Sequence, residues 1–284
     1  MKTKPECLSC FIRQMDRVAD RFGASDKIKK EAAGRINKFL EIADLDLPPP
    51  YLSEGIYRII TDSVGKTDPY RSIKKSQNDK VLSMEKRITG AIKRSNDPVV
   101  TAVKYSIAAN TIDFGAQEIN DDVEKAIKLI ADTQLPQPAV ERFFNDLRSA
   151  DKAAFVLDNA GEIVFDKILI ETIKESFDIE FTAVVRGGPI INDVTIDDAK
   201  YVGIDQYAEI VEASYAAPGA LARKDERLKN LFDDSDLIIS KGQGNFESLS
   251  ESRWRVYFLF LAKCDVVAEL TGTALFAPLF LINK

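Results

Sequence analysis

The sequence predicts an α/β protein in which a mainly helical N-terminal domain packs on a Rossmann-like α/β/α layer with a mostly parallel sheet. Up to about residue 150, apolar residues recur mostly at three- and four-residue spacing, as in Val123, Ile127, Ile130 and Ala131, which is the period of an amphipathic helix. After residue 150 the pattern changes to short β-rich runs separated by helical segments. We therefore expect domains at 1–150 and 151–284, since 284 residues suffice for two modest domains with a buried core.

Within the helical half, Asp26 and either Asp121 or Asp122 are predicted helix starts, because aspartate is a favoured first-turn and capping residue. Two stretches, 48–50 (PPP) and 65–69 (GKTDP), interrupt the apolar pattern. Proline and glycine at such a density are typical of loops, so both stretches are predicted loops.

The second half contains five candidate strands, at 153–157, 181–185, 209–211, 237–239 and 256–261, of which the third is the weakest. Short apolar runs of this kind are typical of buried parallel strands. A helical pattern at 163–173 lies between the first two runs and predicts a βαβ unit. The second half is therefore predicted to be a doubly wound layer, with the first half as its helical partner.

Composition excludes several classes of function. The chain has 39 Lys and Arg against 45 Asp and Glu, a net charge of −6, and no histidine. An acidic chain without a basic run lacks the electrostatic surface of a nucleic-acid binder. Without histidine, Ser-His-Asp triads, Cys-His pairs, phosphohistidine and His-rich zinc sites cannot form within the chain. Carboxylates, Asn, Lys, Arg, backbone amides and thiols remain, and if a metal is used, oxygen ligands predict a hard ion such as Mg²⁺ or Mn²⁺.

The sequence also predicts a cytoplasmic protein without a membrane partner. Three cysteines are an odd number and do not form a disulfide framework. The first residues carry charges and no apolar stretch follows them, so no signal peptide is expected. The most apolar region, 256–282, is interrupted by Lys263, Asp265 and Glu269, and its uncharged run 270–282 is too short to span a bilayer.

Polar residues follow three of the candidate strands directly. They lie at 158–162 (DNAGE), at 186–193 (RGGPIIND) and at 240–245 (SKGQGN). Ligands of open α/β sheets bind outside the carboxyl ends of the strands, and parallel strands bring these ends to one edge of the sheet. We therefore expect the three segments to form a site.

Carboxylate and amide oxygens in these segments are candidate metal ligands. Asp158 and Asn159 offer two adjacent hard oxygens, and Asp193 completes a set of three if the first two strands are neighbours. The amides of the helix that follows Asn159 would then face an anion. The alternative is that Asn159 caps this helix and forms a capping box with Glu162, and that Asn192 and Asp193 merely form a turn.

Lys241 and the glycines around it are a candidate phosphate site. Lys241 precedes Gly242-x-Gly244, a pattern that fits backbone amides and an ammonium group around a phosphate. Gly187 and Gly188 would let the backbone approach a ligand closely, although glycine pairs more often form plain turns.

Cys7-x-x-Cys10 resembles half of a zinc or redox site, but Cys264 is the only other thiol and no histidine completes four ligands. A metal or cluster bridging a dimer stays open. The simpler expectation is a thiol pair near solvent on the first helix, with Cys264 as a small buried apolar residue.

Taken in order along the chain, these motifs resemble the metal-dependent damage-control phosphatases, formerly catalogued as domain of unknown function 89, in particular the prokaryotic branch with an N-terminal CxxC. The resemblance covers essentially the whole chain. It consists of Pro5-x-Cys7-x-x-Cys10, Asp68-Pro69-Tyr70 followed by Lys74 and Asn78, Asn110 to Gly115 (NTIDFG), Asp158 to Glu162, Asn192-Asp193 and Ser240-Lys241-Gly242.

The resemblance implies phosphatase activity on small phosphorylated metabolites such as sugar phosphates, with a divalent metal: Mg²⁺ or Mn²⁺, with Co²⁺ or Ni²⁺ as alternatives. It implies that Asp158, Asn159 and Asp193 are the metal ligands and that Asp158 and Lys241 are catalytic. Substrate contacts are expected from six residues: Asn110, Asp113, Glu162, Arg186, Asn192 and Lys241.

The reaction itself is open at this point. Either a water activated by Asp158 or the Asp158 carboxylate itself attacks phosphorus. The residue two positions later is Ala160, so the DxD pair of haloacid-dehalogenase phosphatases is absent, which favours water. Two other functions are alternatives: methyl transfer from S-adenosylmethionine to a carboxyl group, and binding of a phosphometabolite without turnover.

Overall fold

The computed structural model describes residues 1–65, 68–110 and 133–283. In this part of the chain, seven helices precede the first strand. They are α1 (Pro5–Arg21), α2 (Asp26–Glu41), α3 (Pro49–Val64), α4 (Arg71–Leu82), α5 (Glu85–Lys93), α6 (Pro98–Ala109) and α7 (Gln137–Ser149). The predicted substrate contact Asp113, the predicted helix start at Asp121 or Asp122 and the apolar series in 123–131 lie outside the described residues.

Two helix starts in the first half test the predictions from local chemistry. Helix α2 begins at Asp26, as predicted, and the Ser25 hydroxyl caps it by accepting a hydrogen bond from the Ile28 amide. The prediction that 48–50 is a loop is wrong, because Pro49 and Pro50 form the first turn of α3. Proline suits this position, since its φ is already helical and the first amides of a helix have no partner within it.

The second half alternates strands and helices. In order they are β1 (Lys152–Val156), α8 (Glu162–Lys174), β2 (Glu180–Val185), α9 (Ile196–Val202), a 3₁₀ turn (Ile204–Gln206), β3 (Glu209–Glu212), α10 (Glu226–Asp233), β4 (Leu237–Lys241), α11 (Gln243–Leu249), β5 (Val256–Leu261), α12 (Asp265–Thr271) and β6 (Pro278–Ile282). All five predicted strands and the predicted helix at 163–173 are confirmed.

The sheet has the strand order β3-β2-β1-β4-β5-β6. The first five of these strands run parallel, and β6 runs antiparallel to β5. Strand β6 is not among the predicted strands, since the uncharged run 270–282 shows no alternation that would separate a strand from its neighbours. The order reverses between β1 and β4, where sheets of this type open a ligand crevice.

Helices cover both faces of the sheet, as the predicted α/β/α layer requires. Ala153 and Phe155 of β1 belong to an apolar cluster with residues of α6, α7 and α8. Ala154 and Val156 point to the other face and belong to a cluster with residues of α10, α11 and α12. Successive side chains of β1 therefore contribute in turn to two apolar clusters on opposite faces of the sheet.

A third apolar cluster, which we call the helical core, joins the N-terminal helices to the loops of the sheet. Helices α1, α2 and α3 contribute residues such as Met15, Ile36 and Ile56. Ile190 and Ile191, which follow β2, are buried in the same cluster. The helical half therefore packs directly on loops at the carboxyl ends of the strands. No helix within the described ranges is both long and apolar enough to cross a membrane.

Candidate active site

The loops that follow β1 and β2 are joined by backbone hydrogen bonds. The Val194 amide donates to the Asp158 carbonyl oxygen at 2.8 Å, and the Ala160 amide donates to the Asn192 carbonyl oxygen at 2.9 Å. These bonds form an antiparallel bridge that sets Asn159 opposite Asp193. Strands β1 and β2 are neighbours, as the three-ligand prediction required. The structure thus brings all three predicted metal ligands together.

A buried guanidinium group holds the two carboxylates in place. Arg186 Nε donates to Asp193 Oδ2 at 2.6 Å, and Nη2 donates to Asp158 Oδ1 at 3.0 Å. Its Nη1 donates to Asn245 Oδ1 at 3.0 Å. Arg186 is predicted to contact substrate, but these three bonds of its guanidinium go to protein oxygens and it does not line the cavity described below. The geometry favours a positioning role.

Asn159 turns its amide nitrogen towards the carboxylates. Nδ2 donates to Asp158 Oδ2 at 2.6 Å and to Glu162 Oε2 at 3.3 Å, and Asn110 Nδ2 donates to Glu162 Oε2 at 2.9 Å. The side-chain oxygen Oδ1 of Asn159 therefore faces away from the carboxylates of Asp158 and Glu162. Burial, together with the charges of Asp193 and Glu162, raises the pKa of Asp158 well above its usual range, although Arg186 opposes this shift.

The capping prediction for this loop is wrong. Gly161, at φ 77°, is the N-cap residue of α8 and no side chain caps this helix. The expectation that the first amides of the helix face an anion is wrong for Ile163 and Val164, which donate to the main-chain oxygens of Asn159 and Gly161. In the loop before the helix, the Ala160 amide donates to the Asn192 carbonyl oxygen and the Gly161 amide donates to Asn78 Oδ1 at 2.7 Å. These amides hold the loop rather than a ligand.

A cavity of about 400 Å³ opens beside the two loops. Four of the predicted site residues line it: Asp158, Asn159, Asn192 and Asp193. Its other walls come from α1, from the start of α3, from residues 243–247 and from residues 263–266. The predicted residues Asn110, Glu162, Arg186 and Lys241 lie behind this wall and do not line the cavity.

Lys241 lies in a buried polar network. Its side chain has no exposed surface, and its ammonium group donates to the Ser106 carbonyl oxygen at 2.9 Å, to Asp166 Oδ1 at 2.7 Å and to Glu162 Oε1. All three protons are thus donated to protein oxygens. Burial lowers the pKa of Lys241, but the charges of Asp166 and Glu162 outweigh burial and raise it overall. A direct phosphate contact would require Lys241 to leave this network.

The glycines of the predicted phosphate cradle serve close packing. Gly242 has φ 77°, and a Cβ atom on it would lie 1.9 Å from Asp158 Oδ2. A Cβ on Gly244 would lie 1.7 Å from the Pro218 carbonyl oxygen. Similarly, a Cβ on Gly187 would lie 2.2 Å from the Ala213 carbonyl oxygen. Each glycine is explained by a neighbouring protein group.

The side chain of Asn192 lies at the candidate site, where it lines the cavity. It is fully buried, and neither Nδ2 nor Oδ1 has a hydrogen-bond partner among the described residues. Unpaired buried amides are costly. The preceding residue, Ile191, has φ 43°, a left-handed conformation that β-branched residues rarely adopt. Unpaired polar groups and local strain are both typical of binding sites.

Lys263 is a site residue that the sequence analysis missed. It follows β5 by two residues, is 8 % exposed and lines the cavity, and its charge lowers the pKa of Asp158. Inspection of the residues after every strand, instead of three of them, would have found it. Arg13 and Arg17 of α1 also line the cavity, but nothing in a helical pattern distinguishes them from surface arginines.

All three cysteines line the same cavity. Cys7 and Cys10 lie on α1 as expected. The expectation that Cys264 is a buried apolar residue is wrong, since Cys264 is half-buried, precedes α12 and accepts a hydrogen bond from Gln243 Nε2. Burial raises the pKa of Cys7 to about 11 and also raises that of Cys10 and Cys264. The thiols are therefore protonated near neutral pH and are poor nucleophiles.

The donor set fits a hard divalent cation. Asp158, Asn159 and Asp193 offer two carboxylates and an amide oxygen, which are ligands that Mg²⁺ and Mn²⁺ accept. The crowding that raises the pKa of Asp158 is the electrostatic condition that a cation relieves. Among residues 1–65, 68–110 and 133–283, no three Asp, Glu or Cys side chains form a ready-made cage.

Comparisons with known proteins point to one family. The sequence profile described as the damage-control phosphatase ARMT1-like domain matches residues 3–278. A protein of Pyrococcus horikoshii named damage-control phosphatase is 30% identical over 95% of this chain and 94% of its own length. One of Archaeoglobus fulgidus with the same name is 33% identical over 96% of both chains.

A further relative and a solved structure agree with this match. An uncharacterised protein of Methanocaldococcus jannaschii is 34% identical over 96% of this chain and 92% of its own length. The crystal structure of a DUF89 family protein from Pyrococcus horikoshii superposes with a TM-score of 0.87 at 29% identity and covers 100% of both chains.

Proposed function

We propose that this chain, which belongs to the damage-control phosphatase ARMT1-like family, is a divalent-metal-dependent phosphatase that hydrolyses small phosphorylated metabolites such as sugar phosphates. Family membership supports a phosphatase. The observation that supports metal dependence is the pairing of the β1 and β2 loops, which sets Asp158, Asn159 and Asp193 around one end of a cavity.

Asp158, Asn159 and Asp193 would hold the metal, with Mg²⁺ or Mn²⁺ as the expected ion and Co²⁺ or Ni²⁺ as alternatives. When bound, the ion would supply Lewis-acid neutralisation of phosphoryl oxygens and lower the pKa of water. Arg186 keeps the two carboxylates at a fixed separation through its bonds to Asp158 Oδ1 and Asp193 Oδ2. Such preorganisation matters because phosphoryl transfer depends chiefly on positioning and electrostatics.

Two side chains on the cavity wall are suited to bind the phosphoryl group. Asn192 has an unpaired amide that can donate to an oxygen of the substrate. Lys263 brings a positive charge to the same wall. In this proposal Lys263 takes the phosphate-binding role that the sequence analysis gave to Lys241, and Lys241 supports Glu162 from behind. Asp113, a predicted substrate contact, lies outside the described residues and is part of the proposal on the basis of the sequence alone.

Asp158 is the group proposed to accept a proton. Its carboxylate lines the cavity, where it can accept a proton from a water molecule, and Ala160 leaves no second aspartate in the loop. We therefore favour attack by water over a covalent phosphoenzyme. The proposal also places the protein in the cytoplasm, acting on a free metabolite and on neither nucleic acid nor membrane.

The test is phosphate release from sugar phosphates and p-nitrophenyl phosphate, first after chelation and then with Mg²⁺, Mn²⁺, Co²⁺ or Ni²⁺ restored singly. We expect turnover only after a metal is restored, and none in Asp158→Ala with an unchanged circular dichroism spectrum. Turnover that survives chelation would contradict the metal requirement. If the folded, metal-loaded protein releases phosphate from none of these substrates, the proposed phosphatase activity is contradicted, and methyl transfer or binding without turnover is favoured.

A further inference from the structure

Two of the buried polar residues of helix α4 have no part in the reaction proposed above. Lys74 is 2% exposed and Asn78 is 1% exposed. They lie four residues apart and therefore on one face of the helix. Burial of polar groups is unfavourable without hydrogen bonds, so their contacts indicate what they do.

Asn78 holds the loop that carries Asp158 and Asn159. Its Oδ1 accepts a hydrogen bond of 2.7 Å from the Gly161 amide. Gly161 has φ 77° and connects the candidate ligands to α8. The Nδ2 atom of Asn78 has no hydrogen-bond partner among the described residues, so the bond to Gly161 is the contact through which this side chain acts.

Lys74 holds the segment that follows Asp193. Its Nζ donates to Asp198 Oδ2 at 2.8 Å, and it lies 3.5 Å from a carboxylate oxygen of Asp68. The same Oδ2 of Asp198 accepts hydrogen bonds from the Thr195 amide at 2.9 Å and the Thr195 hydroxyl at 2.8 Å. Thr195 stands two residues after Asp193, so Lys74 reaches the second ligand loop through one intermediate side chain.

We propose that Asn78 and Lys74 are positioning residues that fix the candidate metal ligands from the helical half of the chain. One face of α4 contacts the loop after β1 directly and the loop after β2 through Asp198. The separation between Asp158, Asn159 and Asp193 is then set by a rigid helix in addition to the bridge between the loops. This inference rests on the proposed metal site.

The expected size of the effect follows from the role of groups that support metal ligands. Loss of such partners typically weakens metal binding by about 10–100-fold. Without Asn78 Oδ1, the buried Gly161 amide loses its hydrogen bond and the loop relaxes to recover one. We expect the ligands to shift without loss of the fold, because the bridge to Asn192 and Val194 is retained.

The experiment compares Mn²⁺ binding to metal-free wild type, Asn78→Ala, Asn78→Asp, Lys74→Gln and Val81→Ala by direct titration, with thermal unfolding in a chelator as the second readout. Asn78→Asp keeps the acceptor for Gly161. Val81→Ala removes buried volume from the same helix and controls for loss of stability alone.

We expect the Kd for Mn²⁺ to rise about tenfold or more in Asn78→Ala and Lys74→Gln, and to recover at least partly in Asn78→Asp. Val81→Ala should lower Tm and leave the Kd nearly unchanged. An unchanged Kd in Asn78→Ala, or an equal rise in Val81→Ala, would overturn the positioning role while the metal site stands. Absence of Mn²⁺ binding to wild type would instead overturn the proposed function, and this inference with it.

Discussion

The backbone of Gly242 lies directly against the carboxylate of Asp158. A Cβ atom on Gly242 would fall 1.9 Å from Asp158 Oδ2 and 2.2 Å from its Cγ. Gly242 is also the residue between β4 and α11, and its φ of 77° favours glycine. Because β1 and β4 are neighbouring strands, Gly242 directly after β4 lies against Asp158, which follows β1, and no side chain fits between them.

Gly242→Ala is expected to displace the Asp158 carboxylate and lower metal-dependent turnover by about 100-fold, since shifts near 1 Å have effects of that size. Steady-state phosphate release at a saturating metal concentration measures this loss of turnover. Gly34→Ala is the matched control, because Gly34 lies in α2 with open space around its Cα. That substitution should stabilise the protein by about 0.5–1 kcal/mol without changing turnover. Wild-type turnover in Gly242→Ala would refute the close contact.

Asp158→Asn is expected to abolish turnover and leave the metal-free fold at least as stable. Loss of a catalytic base alone lowers rates by about 10²–10⁴-fold. The raised pKa of Asp158 shows that its charge is unfavourable in the metal-free protein, so a neutral isostere removes that cost. Turnover and Tm in a chelator are the two measurements. Wild-type turnover in Asp158→Asn would contradict the role of Asp158 in the reaction, and a large drop in Tm would contradict an unfavourable charge at this position.

Lys263→Met is expected to raise KM for a phosphorylated substrate by about tenfold or more, because a hydrogen bond to a charged group contributes about 1.5–3 kcal/mol. Tm, measured alongside, distinguishes weaker substrate binding from loss of stability. Lys263→Arg keeps the charge and should recover part of the affinity. The phosphate-binding role is contradicted if KM is unchanged in both variants.

Lys241→Met is expected to lower the stability of the protein rather than to raise KM. It leaves Glu162 and Asp166 buried without their cation, and removal of one partner from a buried ion pair costs about 3–5 kcal/mol. Denaturant unfolding should show this loss. Lys152→Met removes an exposed lysine that pairs with Asp234 on the surface and should have little effect. A stable Lys241→Met protein with a raised KM would restore Lys241 as the phosphate contact.

Glu247→Gln is expected to change how stability depends on pH. Burial raises the pKa of Glu247 from 4.5 to about 7. Between these two pH values the folded state holds a proton that the unfolded state has lost, so the stability of the wild type falls as pH rises from 4.5 to 7. Above pH 7 both states have lost the proton, and the contribution of Glu247 to stability no longer changes with pH. The Tm of Glu247→Gln relative to wild type should therefore increase from pH 5 to pH 8. Parallel Tm curves for the two metal-free proteins would contradict the raised pKa of Glu247.

Many features of the fold could be predicted because they depend on local patterns. The apolar runs that became β1, β2 and β4 are short and bounded by polar residues, and strands of this kind are buried wherever they lie in a sheet. The prediction failed at Pro49 and Pro50, where proline begins a helix, and at β6, whose pairing with β5 is a long-range contact.

The sequence by itself determined the chemistry available to the site. With no histidine and only three cysteines, most candidate ligands are oxygen donors, and the position of Asp158, Asn159 and Asp193 after strands predicted that they would meet. The predicted fold class places the carboxyl ends of parallel strands at one edge, whatever the side chains elsewhere. For these residues, position along the chain was sufficient.

Only the tertiary structure decided which polar residues face the cavity and which support it from behind. Lys241 and Lys263 both lie at or just after the end of a strand, yet Lys241 is enclosed by Glu162, Asp166 and the Ser106 carbonyl oxygen whereas Lys263 lines the cavity. The physical reason is that burial of a lysine depends on whether helices distant in sequence bring carboxylates and carbonyls to its ammonium group. No spacing rule contains that information.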